Sequence, residues 1–167
     1  MLLTLHERPQ SRERFLERRF EEDYAAYQYI LVEFLVAHLS DISRPFKGDL
    51  QQMLVLAVVG QVYLQWTRAC RKQGSVPSQR PPALASISAS RLSDCTGIPR
   101  ETVRRKLVLL QHQGLVDRAP DGRWRLTPAN EGMTTARQRF AHLERAAIER
   151  TACMITRLEN LADGSRM

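Results

Sequence analysis

Residues 97–107 read GIPRETVRRKL, four cations and one glutamate directly after a glycine and a proline. These side chains match the hydrogen-bonding edges of nucleic-acid bases: arginine donates a bidentate pair to guanine, and a carboxylate accepts from cytosine. Proline is preorganised for a first helical turn and needs no amide donor there, so Pro99 is expected to open a helix. Val103, Leu107 and Leu110 then fall on one face, at spacings of four and three. With that face turned inward, a step of about 100° per residue puts Glu101, Arg105, Val108 and His112 opposite it and Arg104 on its flank. Arg100 lies in the first turn and can reach forward. A helix lying in the DNA major groove contacts base edges mainly through its N-terminal part, which makes Arg100, Glu101, Arg104 and Arg105 the candidate base-reading residues.

Positioning such a helix is the task of its neighbours. Ser88 is placed to cap a short helix running to Asp94 that buries Leu92 and Cys95, and Thr96-Gly97 make a tight corner in which glycine accepts a positive φ. Gly114 ends the second helix. "LVDRA", the Pro120-Asp121-Gly122 turn and "RWRLT" read as a hairpin, with Trp124 and Leu126 alternating inward and Arg123 and Arg125 outward. Helix, turn, helix and hairpin together predict a winged helix-turn-helix. From Pro81 to Ala129 eight cations face four carboxylates. More than half of the chain's net charge of +7 therefore lies in under a third of its length.

The stretch "ISASRLSDCTGIPRETVRRKLVLLQHQGLV" resembles the helix-turn-helix of the Crp-type (catabolite-activator) transcription factors, and its specific part is the core "RETV.R.L". The quoted stretch is 30 of the chain's 167 residues. The resemblance implies that Arg100, Glu101 and Arg105 occupy base-reading positions and that Thr102 touches a phosphate. Ser88, Ser90 and Lys106 are expected beside Thr102 on the DNA backbone, with Arg123 and Arg125 along or in the minor groove. The glycine-rich effector domain of that family has no counterpart in residues 1–80, so cyclic-nucleotide sensing is not implied. The order of helix, helix, winged helix and long terminal helix is similar to MarR-type regulators, in which terminal helices form the dimer interface.

Outside this stretch the pattern is helical. Leu16, Phe20, Tyr24, Tyr27, Leu31, Phe34 and Leu35 mark one face of a helix over Arg12–Leu39. Asp49 stands at the N-cap position of a largely buried helix reaching to Lys72. Three prolines and a glycine make 73–86 a linker or long loop. Ala136, Phe140, Leu143, Ala147, Met154, Leu158 and Leu161 form a near-heptad stripe, broken at Arg150, on a long final helix. The expected architecture is mainly α, a winged helix-turn-helix flanked by N- and C-terminal helices that form a dimerisation region. Its parts are a helical pair in 1–73, a linker in 74–86, the DNA-binding domain in 87–128 and the terminal helix in 129–167. The terminal stripes pair either between two copies or with each other inside one chain.

A pI near 9.9 favours a polyanionic partner. The start lacks the pattern of a secretory signal, and the most apolar run, 53–64, falls short of the roughly 20 residues a membrane span needs, so a cytoplasmic protein with no membrane partner is expected. Cys70, Cys95 and Cys153 are far apart and odd in number, which suits reduced thiols. Cys95 reads as core filler, and Cys70 and Cys153 as thiols open to a redox role. His6, His38, His112 and His142 lack metal-ligand spacing. Tyr63 and Trp66 read as core rather than as the lining of an effector pocket. With no nucleotide loop, nucleophile elbow or carboxylate pair, neither an enzyme nor a cofactor is expected. The expected function is a homodimeric, sequence-specific DNA-binding transcriptional regulator acting on double-stranded DNA at a near-palindromic operator. The competing reading is a winged-helix protein-interaction module with a basic face.

Overall fold

The computed structural model describes residues 7–74, 85–129 and 133–164, and these are mainly helical. The elements are α1 (Glu7–Glu22), α2 (Tyr24–Ser43), α3 (Leu50–Lys72), α4 (Ala89–Thr96), α5 (Arg100–His112), β1 (Val116–Arg118), β2 (Trp124–Leu126) and α6 (Thr135–Ala162). A 3-10 turn at Arg44–Phe46 lies between α2 and α3. The chain divides into two compact units, one built from the residues up to Asp41 and from Glu144 onward, the other from Ile42–Leu143. Among the described residues no helix is long and apolar enough to cross a membrane.

In the first unit, the single helix expected over Arg12–Leu39 is two helices. Asp23 separates them, and its carboxylate accepts a hydrogen bond from the Ala26 amide at 3.3 Å. This is the capping chemistry that lets aspartate restart a helix. The rings of Phe20 and Tyr27 stack across the break with centroids 5.0 Å apart. α6 runs antiparallel to α1 and α2: Arg19 Nε donates to the Ala162 carbonyl at 2.9 Å, and ion pairs join Arg157 to Glu33 and Arg150 to Asp41. The N- and C-terminal helices thus pair within one chain. Tyr24 and Leu35, expected on the packed stripe, are exposed.

The second unit holds most of the buried residues. Gln52, Val55, Leu56 and Val59 form the buried face of α3, so this helix belongs with the residues that follow it, whereas its sequence position had grouped it with the N-terminal helices. Its outer face is not covered, contrary to the nearly complete burial expected, and Leu50, Leu54 and Leu64 are exposed. Asp49 caps it, accepting from the Gln52 amide at 3.0 Å. Opposite α3 stand Leu92 from α4 and Val103, Leu107 and Leu110 from α5, closed below by Leu115, Val116, Trp124 and Leu126. Tyr63 packs against the edge of this core, with the Trp66 ring tilted against it at 5.7 Å. β1 and β2 are antiparallel, with Val116 opposite Leu126 and Arg118 opposite Trp124. Ile87 exchanges two 2.8 Å backbone hydrogen bonds with Trp124 on the far side of β2, which leaves β2 flanked on both sides.

Two expected boundaries shift. The terminal helix begins at Thr135, not at 129–130, because Pro128 and Thr134 pair as an antiparallel bridge before it. Of the expected linker, residues 75–84 lie outside the described residues, as does His6, while Ala85 and Ser86 are buried.

Candidate nucleic-acid interface

Local sequence fixes how α5 is presented. Ser88 Oγ accepts from the Arg91 amide at 3.2 Å and caps α4. At the other end Gly97, with φ 68°, donates its amide to the Ser93 carbonyl and turns the chain. Ser93 Oγ donates to the Ile98 carbonyl at 2.7 Å and Thr96 Oγ1 to the Leu92 carbonyl at 2.7 Å, so two hydroxyls tie the corner to α4. Pro99 stands just before the first helical residue, Arg100. Val103, Leu107 and Leu110 are completely buried. Their burial holds the helix at a fixed rotation.

Arg100, Glu101, Arg104, Arg105, Val108 and His112 are all exposed, so one rigid helix brings the four expected base-reading residues to the surface. Arg104 Nη1 and Glu101 Oε1 pair at 2.6 Å, an exposed i,i+3 contact whose loss on contact with a ligand costs about 0–1 kcal/mol. Of the expected backbone contacts, Ser88 and Arg123 are exposed and Ser90 and Thr102 are half-buried.

Two of the expected site residues are committed elsewhere. Lys106 forms a half-buried ion pair with Asp49, the residue that caps α3. Burial alone would push the Asp49 carboxyl up, yet hydrogen bonds from Lys106 and the Gln52 amide, with the charges of Lys106 and Arg105, hold it below the usual aspartate value. Lys106 therefore ties α5 to α3 rather than facing outward, as the expected phosphate contact required. Arg125, expected outward on the hairpin, is 7% exposed. Its Nε and Nη2 donate to the two carboxylate oxygens of Asp117, directly across the ladder, at 2.8 and 3.1 Å. The hydrogen bonds from Arg125 to Asp117 raise the guanidinium's already high pKa despite its burial. The alternation along β2 still turns Arg125 away from Trp124 and Leu126, but the face it enters is not open to solvent.

Residues not singled out in the sequence complete the surface. Arg118 is exposed on β1, its guanidinium 5.1 Å above the Trp124 ring, which aims a cation along the hairpin beside Arg123. The signal in the sequence was the excess of cations over residues 81–129, of which Arg118 is one. Arg91 is exposed on α4. Cys95, expected in the core, is exposed, because α4 buries only Leu92. Cys70 is half-buried, Cys153 is exposed, and all three thiols are free. Among the described residues no group of His, Cys, Asp and Glu is placed to hold a metal ion.

A scan of family models, a search of curated proteins and a search of solved structures each return no match to this chain.

Proposed function

We propose that the protein is a sequence-specific DNA-binding transcriptional regulator, a winged helix-turn-helix that acts as a homodimer on a near-palindromic operator. The observation that carries this reading is α5. Three fully buried residues fix its rotation, while Arg100, Glu101, Arg104 and Arg105 stand together on its exposed N-terminal half. Those are the donors and acceptors that major-groove base edges match. Arg118 and Arg123 on the hairpin supply positive charge for the adjacent backbone, and Ser88, Ser90 and Thr102 add hydroxyls near the turn. Lys106 and Arg125 act as braces in this proposal.

A second reading, a protein-interaction module, draws support from Val108 and Leu109, apolar residues exposed on the same helix. Selection of bound sequences from a random duplex pool at moderate salt separates the two. Recovery of a palindrome with half-sites roughly 34 Å apart, and affinity that falls steeply with salt, is the expected result. A pool that stays random would leave only charge-driven DNA affinity and favour the protein-interaction reading.

A further inference from the structure

Helix α2 is apolar on two opposite sides, and the first unit covers only one of them. On the covered side Ile30 is buried and Tyr27, Leu31 and Phe34 are half-buried. On the other, Ala25, Tyr29, Val32, Val36 and Leu39 recur at spacings of four, three, four and three, and all are exposed, Tyr29 to 62% and Val36 to 60%. Several of these residues also line a shallow apolar groove. A helix that is apolar all round is ordinarily buried all round.

We propose that this stripe is the contact surface between two copies of the chain, α2 against α2 across a two-fold axis. Alternating spacings of three and four are the heptad pattern, which lets like helices interlock, and a two-fold contact needs one patch that complements itself. Charge points the same way. Glu33, at the margin of the stripe, is neutralised by Arg157, whose guanidinium lies 5.9 Å over the Tyr29 ring, so the face offers no unpaired charge to a nucleic acid or to an acidic peptide. Tyr24, which lines the same groove, and Tyr29 are each 62% exposed, and of the about 200 Å² an aromatic side chain can bury this share, with that of the aliphatic residues, leaves on the order of 550 Å² per chain. Pairing two such faces buries about 1,100 Å², enough for a specific interface. The surface gives the homodimer of the proposed function its contact and rests on that reading only in the use made of the dimer.

The test is sedimentation velocity of the full chain from ~1 to ~100 µM, beside a Val32→Glu, Val36→Glu variant. The wild type is expected at twice the monomer mass, and the variant as a monomer of unchanged helicity, with its dimer dissociation constant raised about a hundredfold or more. A second measurement does not depend on the folding of that variant. In a chain with Cys70, Cys95 and Cys153 changed to Ser, Val32→Cys is expected to cross-link to its own copy through a short bis-maleimide, because the centre of the stripe meets itself whether the helices run parallel or antiparallel. Glu149→Cys in the same background is expected to stay uncross-linked. A wild type that is monomeric throughout, or a dimer that cross-links no better from position 32 than from 149, overturns the proposal. Such a monomer that still selects one DNA sequence would leave the DNA reading standing, whereas a dimer that selects none would overturn that reading and keep this surface.

Discussion

The two units use similar helices to different ends. In the second, side chains from α3, α4, α5 and the hairpin converge, and Leu92, Val103, Leu107, Leu110 and Leu115 are fully buried. In the first, two antiparallel layers of helix bury only Ile30 and Ala162 among the described residues, and the helices are held by ion pairs at Asp41 and Glu33. Two layers of helix have no third layer to close over their outer faces, so apolar residues stay in water unless a partner covers them. One unit is built to hold a surface still, and the other leaves a surface unsatisfied.

That contrast can be sharpened by substitution. Leu107→Ala removes a completely buried side chain, and urea unfolding is expected to show a loss of about 2–5 kcal/mol. Ile30→Ala, in the two-layer unit, is expected at the low end of that range or below, because solvent and neighbouring side chains can relax into the space. A larger loss at Ile30 than at Leu107 would reverse the comparison. Next in size is Asp117→Ala, which takes from the buried Arg125 the carboxylate across the ladder and is expected to cost roughly 1–3 kcal/mol in the same assay.

Asp49→Ala removes both the α3 cap and the partner of Lys106, with an expected loss of about 1–2 kcal/mol at pH 7. Because the carboxyl titrates below its unfolded value of 3.8 when the chain is folded, its contribution is complete above that pH and fades as the pH falls through the lower, folded value. Unfolding free energies of wild type and variant are therefore expected to converge in acid. A gap that stays constant from pH 7 to pH 3 would mean the ion pair contributes nothing. The smallest effect belongs to Cys95→Ser, within about 0.5 kcal/mol of wild type, since the thiol is exposed.

What could be read in the sequence was local. The spacing of Val103, Leu107 and Leu110 gave the buried face of α5, and Asp49, Ser88 and Gly97 announced the ends of helices by chemistry confined to one turn. The misreadings came from distant partners. Nothing near Lys106 in the chain points to Asp49, 57 residues earlier. Arg125 reads as outward until Asp117 is seen to stand across the ladder and hold it. On α2 both apolar stripes are written in "YAAYQYILVEFLVAHLS", and the pattern alone could not tell which of them the chain covers.

The most direct test compares Arg105→Ala with wild type on the selected duplex and on random duplex, by equilibrium binding at one fixed salt concentration. A loss of about 1–3 kcal/mol on the selected duplex with little change on random DNA is the expected result, since a base-reading arginine discriminates and a phosphate contact does not. Equal losses on both would contradict base reading by α5.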